Sequence, residues 1–206
     1  MCRNRTRLVS ASKVACLFFG LFIGQTTQAQ TVSLDTLKTH WGATLGGILT
    51  TIAAHELGHF IVAEHEGADA YFDGITIEYR HTDQTNRQNL RLSSAGYQSQ
   101  WLLSEYAFSQ LNQPDLSANK QAWNTGLVLG HIGITVAYLS VLKNHEDGDA
   151  LGVAQASGLS LDKVLLSLAI PAALDSWRLF GKRTPKWTSW ASRGFKAVGI
   201  SATWAL

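Results

Sequence analysis

Residues Trp41–Ala63 form an apolar run of lipid-crossing length in which Glu56 is the only formally charged side chain. The sequence His55-Glu56-Leu57-Gly58-His59 lies inside this run. Placing two histidines and a glutamate in a segment of membrane-spanning length is costly, so such residues indicate a functional site. This placement constrains the chain more strongly than any other feature of the sequence.

The spacing of the motif predicts a metal site. Side chains four residues apart lie on the same side of a helix, so His55 and His59 can offer two imidazoles to one metal ion. Glu56 lies beside them, where it could take a proton from a metal-bound water. A pair of core histidines bonded to the backbone is the alternative, but it does not explain a glutamate at the position that the motif requires.

Composition limits the class of protein. A chain of 206 residues holds at most one ordinary domain with additions. The net charge of +2 gives no argument for a nucleic-acid partner. Charged residues make up 16%, below the usual quarter, and the apolar residues are concentrated in segments. These features favour a membrane protein.

The first 29 residues are typical of a signal peptide. Arg3, Arg5 and Arg7 precede an apolar stretch at 14–24, and Thr27-Gln28-Ala29 is a plausible cleavage site. An uncleaved N-terminal anchor is the alternative, although the apolar stretch is short for one. Both cysteines, Cys2 and Cys16, lie in this segment, so a cleaved chain has no thiol ligand for a metal.

The hydropathy pattern predicts a mainly α, polytopic membrane protein with about three core transmembrane helices. The predicted spans are Trp41–Ala63, Ala122–Leu142 and Val164–Phe180. With the mature N-terminus outside, three spans place the Arg-containing region 65–121 and the basic tail inside and the acidic loop 143–160 outside, as the positive-inside rule expects. The first and third spans would then run in the same direction.

The remaining segments predict additions to this core. Alternation at Ile75–Tyr79 and at Leu90–Leu92 predicts a β-hairpin insertion. Ser94–Leu111, apolar but interrupted by polar residues, predicts a short re-entrant or interfacial helix. The domain division is therefore a core at 30–180 and a basic amphipathic tail at 181–206, which is either a helix at the membrane surface or a soluble packing helix.

Asp175 is the predicted third metal ligand. A catalytic zinc usually has three protein ligands and one open position, and Asp175 lies within an apolar span. With the first and third spans parallel, His59 and Asp175 both lie about 6–8 Å from the inner end. The alternative for Asp175 is a buried salt bridge to Arg178, three residues along the same helix.

Other candidate ligands fit less well. His65 follows His55 by ten residues, but a helix that continues through Val62 points it away from the pair. His131, in the second span, is the second choice of ligand, and a packing role suits it better. The acidic cluster at 145–149 fits no calcium-loop spacing and is interpreted as a solvated loop.

Together these residues resemble the site-2 protease family of intramembrane zinc metalloproteases. His55-Glu56-Leu57-Gly58-His59 is similar to the family's His-Glu-x-Gly-His helix, which implies two zinc ligands and a catalytic glutamate. Leu174-Asp175 resembles the Leu-Asp that supplies its third ligand. Ser94-Ala95-Gly96-Tyr97 resembles the Ala-Gly segment of bacterial members. Ser176 departs from the usual glycine, and no asparagine follows Gly96.

The sequence therefore predicts a zinc-dependent intramembrane endopeptidase of the bacterial inner membrane. Zn²⁺ would be bound by His55, His59 and Asp175, and Glu56 would be the general base. The expected substrate is a transmembrane or membrane-proximal protein segment, and the lipid bilayer is the surrounding partner. A catalytically inactive, partner-binding membrane protein and a soluble periplasmic zinc hydrolase are the alternatives.

Overall fold

The computed structural model describes residues 33–72, 77–80, 84–143, 145 and 148–205, with the backbone alone for 77–80. The predicted signal peptide lies outside the described residues. The described part is mainly helical, as expected, with seven helices and one two-stranded sheet. These elements are α1 (Leu34–Thr39), α2 (Trp41–Glu66), β1 (Asp69–Phe72), β2 (Ile77–Arg80), α3 (Asn86–Leu111), α4 (Ala118–Leu139), α5 (Asp149–Ser157), α6 (Leu161–Phe180) and α7 (Lys186–Ala205).

The helix α2 contains the whole motif and the apolar run. It ends at Gly67, whose φ of 74° lies in the left-handed region and whose N–H donates to the carbonyl oxygens of Ala63 and Glu64. Among the described residues, α2 alone is both long and apolar enough to cross a membrane. It therefore matches the first predicted span, with three more residues at its C-terminal end.

The predicted hairpin is wrong in its second strand. β2 pairs antiparallel with β1, which precedes it, and Asp69 lies opposite Arg80. Leu90 and Leu92 belong instead to α3, which has 26 residues and is neither short nor peripheral. A capping box starts this helix: Thr85 accepts a hydrogen bond from the N–H of Gln88, and the Gln88 side chain accepts one from the N–H of Thr85.

The helices α2 and α4 pack in the same direction at very close range. Thr51 donates a hydrogen bond to the carbonyl of Leu127 at 2.9 Å. A Cβ on Gly47 would lie 2.2 Å from the carbonyl oxygen of Trp123, and one on Gly130 would lie 2.6 Å from Cβ of Thr51. Residue numbers increase together in both helices from one contact to the next, so the two helices are parallel.

The helix α6 runs opposite to α2, contrary to the expected parallel spans. Early residues of α6 pack with Tyr97 and Trp101 of α3, whereas Leu179 near its end packs with Phe108 and Leu111. α6 is therefore parallel to α3, and α3 is antiparallel to α2, since Gly58 contacts Ala95 and Ser99 while Glu66 bonds to Arg91. Because of this reversed direction, the C-terminal parts of α2 and α6 lie at opposite ends of the bundle.

The basic tail forms the helix α7, which packs against the other helices, as in the packing alternative for this segment, and does not lie apart from them. It lies against α3 in the opposite direction, because Lys196 bonds to Ser104 while Trp204 bonds to Gln98. The long helices α2, α4 and α7 thus run one way, and α3 and α6 run the other way. The tail is part of the helical bundle.

Candidate metal centre

His55 and His59 lie side by side on the buried face of α2, as the spacing predicts. Their Nε2 atoms are 3.3 Å apart, and both side chains are buried. The Nδ1 atom of His59 donates to the carbonyl oxygen of Leu92 at 2.8 Å. Because a carbonyl oxygen only accepts, this bond holds the proton on Nδ1 and leaves Nε2 of a neutral ring as a free ligand atom.

Asp149 completes the group. Its Oδ2 lies 2.9 Å from Nε2 of His55 and 3.1 Å from Nε2 of His59. The three ligand atoms lie within 4.8 Å of one another. Burial raises the pKa of Asp149, but the charge of His59 and the hydrogen bonds with both imidazoles outweigh it and hold this pKa below its ordinary value.

The donor set suits a divalent cation. A protonated His59 donates its Nε2–H to this carboxylate, whereas a neutral ring with its proton on Nδ1 turns a lone pair toward the carboxylate oxygen, and a cation between these two acceptor atoms would join them. Two imidazoles and one carboxylate are the ligands of many catalytic zinc sites, in which the fourth position is left for water or substrate. The residues present therefore fit zinc.

Glycine in α3 makes room for the histidine pair. A Cβ on Gly96 would lie 2.4 Å from Nε2 of His55 and 2.5 Å from Nε2 of His59. Gly58, inside the motif, has a matching role, since its Cβ would lie 2.7 Å from the carbonyl oxygen of Ala95. The Ala-Gly segment and the motif are thus in direct contact, and any side chain at Gly96 would displace the imidazoles.

Two tyrosines surround the group. The hydroxyl of Tyr138, near the end of α4, donates to Oδ2 of Asp149 at 2.8 Å. The ring of Tyr97 lies 5.2 Å from that of Tyr138 and 5.8 Å from that of His55, measured between centroids. Tyr138 therefore orients Asp149, and both rings exclude water from one side of the group.

Glu56 lies outside the three-residue group but next to it. Its side chain is partly exposed, and its charge acts on both His59 and Tyr138. A carboxylate beside a metal position, with access to solvent, is suitably placed for proton transfer to or from a water molecule.

The predicted ligand Asp175 lies elsewhere, and this prediction is corrected. Its Oδ1 accepts hydrogen bonds from Arg178 at 2.9 Å and from Ser192 at 2.6 Å, and its Oδ2 bonds to Lys196. The pairing with Arg178 was the alternative reading of the sequence. The ligand prediction failed because α6 is antiparallel to α2, so the two ends assumed to coincide lie at opposite ends of the bundle.

The distance between the two sites can be read along α3. Gly96 touches the histidine pair, and Glu105 bonds to Arg178 at 2.6 Å, next to Asp175. Nine residues of helix separate these contacts, which corresponds to about 13.5 Å. His131, the second choice of ligand, lies on the Asp175 side, with its Nε2 3.7 Å from Oδ2 of Asp175.

Asp149 was missed because the acidic cluster at 145–149 was interpreted as a solvated loop. Asp149 is the first residue of α5, after the cap residue Gly148, and the buried Ala150 and Ala154 dock this short helix on α3. A carboxylate at the start of an apolar segment was the available signal. His65 lies away from the group, exposed and 5.7 Å from the ring of Trp204.

No family model, curated protein or solved structure matches this chain. A functional proposal therefore rests on the geometry of His55, His59 and Asp149 and on the fold around them.

Proposed function

We propose that this protein is a zinc-dependent intramembrane peptidase whose metal is bound by His55, His59 and Asp149. The observation that carries the proposal is the convergence of these three ligand atoms, with Glu56 beside them. The likeness to site-2 proteases then rests on the motif helix and on the Ala-Gly-Tyr segment that touches it. Asp149 takes the role that the resemblance assigned to Asp175.

Each residue of the proposed site has a separate role in the reaction. Zinc, when bound there, supplies a Lewis acid that polarises the scissile carbonyl and makes water a nucleophile near neutral pH. Glu56 accepts the proton of the attacking water and returns it to the leaving amine. The carbonyl of Leu92 orients His59, and the hydroxyl of Tyr138 orients Asp149.

The bilayer location is supported by the outer surface of α2. Its exposed large apolar side chains follow one another at helical spacing, from Trp41 through Leu45, Leu49 and Ile52 to Phe60. These 20 residues extend over about 30 Å, the thickness of the hydrocarbon core. A substrate that is itself a membrane segment, locally unwound in the inner membrane of a bacterium, could approach the site from this environment.

Replacement of the general base tests the chemistry. In the purified full-length protein, Glu56→Gln should keep one zinc per chain, measured by elemental analysis, because no ligand changes. Cleavage of a transmembrane-segment peptide in detergent should fall at least 100-fold, within the range for loss of a general base.

The matched control is Glu64→Gln, which makes the same change at an exposed position near the end of α2. This variant should cleave like the wild type. Wild-type rates in Glu56→Gln would contradict the mechanism. A wild-type protein that binds zinc through a fourth protein ligand and cleaves nothing would favour the inactive, partner-binding alternative.

A further inference from the structure

The helix α7 has its polar side inward and its apolar side outward. Lys196, Ser192 and Thr188 are fully buried, whereas Trp190 and Val198 are 66% and 69% exposed. From Trp187 to Ala205 the chain contains only two formal charges, Arg193 and Lys196, and both are buried. A helix on the surface of a water-soluble protein has the opposite arrangement.

Paired charges determine this orientation. Nζ of Lys196 donates to Oγ of Ser104 at 2.8 Å and to Oε1 of Glu105 at 2.7 Å, and it also bonds to Asp175. Nε of Arg193 donates to Oε2 of Glu105 at 3.0 Å. Rotating α7 to expose its polar side would break all of these contacts and leave buried charges unpaired, which is strongly destabilising.

The neighbouring helix α6 repeats the pattern. Its internal charges, Asp175 and Arg178, are buried, while Leu166, Trp177 and Phe180 are exposed. Exposed acidic and basic side chains on α2, α6 and α7 occur only in the terminal turns of these helices: Glu64, Asp162, Lys163 and Lys186. Apart from the partly exposed Glu56 of the proposed site, the middle of this surface is uncharged, as in a protein surrounded by lipid.

Average hydropathy hides this property of α7. The average includes the buried polar residues of α7 together with its exposed tryptophans, so the mean hydropathy of the helix is lower than that of a typical transmembrane segment. The buried polar residues are Thr188, Ser192, Arg193 and Lys196. Only the separation of the two faces shows an apolar exterior. With 20 residues, α7 is about 30 Å long, which is sufficient to cross the hydrocarbon core.

We propose that α7 spans the bilayer, with lipid against the face formed by Trp190, Phe195 and Val198. This proposal rests on the membrane location proposed above and is independent of the metal chemistry. The connection 181–185 and the end of α7 then lie on opposite sides of the membrane. Because α2 and α7 are parallel, the end of α7 lies on the same side as the β1–β2 hairpin.

Single cysteines test this topology. The chain has no cysteine after Cys16, so a Cys2→Ser, Cys16→Ser background accepts one reporter at a time. Lys182→Cys, Ala205→Cys and Asp69→Cys are introduced at exposed positions and labelled in intact cells and in permeabilised cells with a membrane-impermeant maleimide. We expect positions 69 and 205 to label from one side and position 182 from the other side. Labelling of 182 and 205 from the same side would overturn the proposal.

A lysine introduced on the exposed face of α7 tests whether lipid covers that face. Val198→Lys should reduce the amount of folded protein in the membrane at least tenfold, because lysine within a bilayer is strongly disfavoured, whereas Val198→Leu should match the wild type. Wild-type accumulation of Val198→Lys would overturn the proposal. So would a Val198→Lys protein that stays in the membrane and changes from oligomer to monomer, since a second copy would then cover the face.

These outcomes separate the two proposals. The labelling pattern and the accumulation of Val198 variants do not depend on zinc or on cleavage. A protein with the expected topology and no peptidase activity would refute the proposed reaction alone, and an active protein with α7 on one side of the membrane would refute the span alone.

Discussion

At the scale of single residues, the carbonyl of Leu92 orients one imidazole of the candidate metal centre. It accepts the Nδ1 proton of His59 and thereby selects the tautomer whose Nε2 faces Asp149. Asp149 is in turn held by the hydroxyl of Tyr138. Two of the three proposed ligands are thus oriented from outside the group, by α3 and by α4.

Replacing each of the two candidate aspartates by asparagine in turn distinguishes the proposed ligand from the one predicted from the sequence. Asp149→Asn removes a ligand charge while conserving shape, so we expect zinc affinity to fall at least tenfold. Asp175→Asn disturbs contacts with Arg178, Lys196 and Ser192, all of them away from the three proposed ligands, so each folded chain should still bind one zinc. The amount of zinc per folded chain is measured after size-exclusion chromatography. A loss of zinc from Asp175→Asn but not from Asp149→Asn would contradict this assignment.

The residues of the motif could be predicted from the sequence, but the third ligand could not. His55, Glu56 and His59 are related by the repeat of a single helix, which is a local property. Asp149 reaches them from 90 residues further along the chain, and its position depends on the direction of each helix between them. The prediction of Asp175 as a ligand relied on its distance from the end of its helix and assumed that α6 is parallel to α2, but the two helices are antiparallel.

At the scale of helices, the close approach of α2 and α3 at Gly96 brings the peptide backbone directly against the two imidazoles. The same contact places the Leu92 carbonyl beside His59, one turn earlier in α3. The packing of these two helices and the orientation of the metal ligands therefore depend on the same small residue.

A methyl group at this contact should damage the metal centre more than the fold. Gly96→Ala places a Cβ where both imidazoles now lie, so the rings must shift; we expect a destabilisation of about 1–3 kcal/mol, typical of overpacking, and at least a tenfold loss of zinc affinity. Gly133→Ala in α4 is the control, because its Cβ would meet nothing within 4 Å and alanine favours a helix. Isothermal titration with zinc and thermal unfolding measure both effects; unchanged zinc affinity in Gly96→Ala would contradict the site geometry.

The helices differ in how well the sequence predicts them. α2 is apolar on most of its surface, so its extent follows from composition alone. The alternation at Leu90–Leu92 predicts a strand where the structure has α3, whose start is set by the capping box that Thr85 and Gln88 form. For α7 the sequence leaves a membrane-surface helix and a packing helix as alternatives, since its polar residues give no indication that they face Glu105 and Asp175.

At the scale of the whole molecule, the bundle combines a charged interior with an outer band on α2, α6 and α7 that is uncharged except at Glu56. Glu105 and Asp175 bind Arg178, Arg193 and Lys196 where α3, α6 and α7 meet, and the ring of Phe108 lies 3.6 Å from the guanidinium of Arg178. Such pairs link helices whose outer faces contribute little to their association if lipid surrounds them. The short connections 112–117 and 181–185 account for the opposite directions of α3 and α4 and of α6 and α7, whereas the two longer connections contain the sheet and α5.

Two leucines that are both more than half exposed can distinguish a lipid-facing surface from a solvated one. Leu49 is 56% exposed in the middle of α2, and Leu34 is 65% exposed in α1, next to Asp35. In a bilayer, Leu49→Lys places a charge near the centre at a cost of about 2.5–3.5 kcal/mol, whereas Leu34→Lys lies at the end of the bundle and should cost little. On a soluble protein both substitutions would stay within about 0.5 kcal/mol of the wild type. Carbonate extraction of membranes should therefore leave the wild type and Leu34→Lys in the pellet and strongly reduce the pelleted amount of Leu49→Lys; release of the wild type into the supernatant would instead indicate a soluble zinc hydrolase.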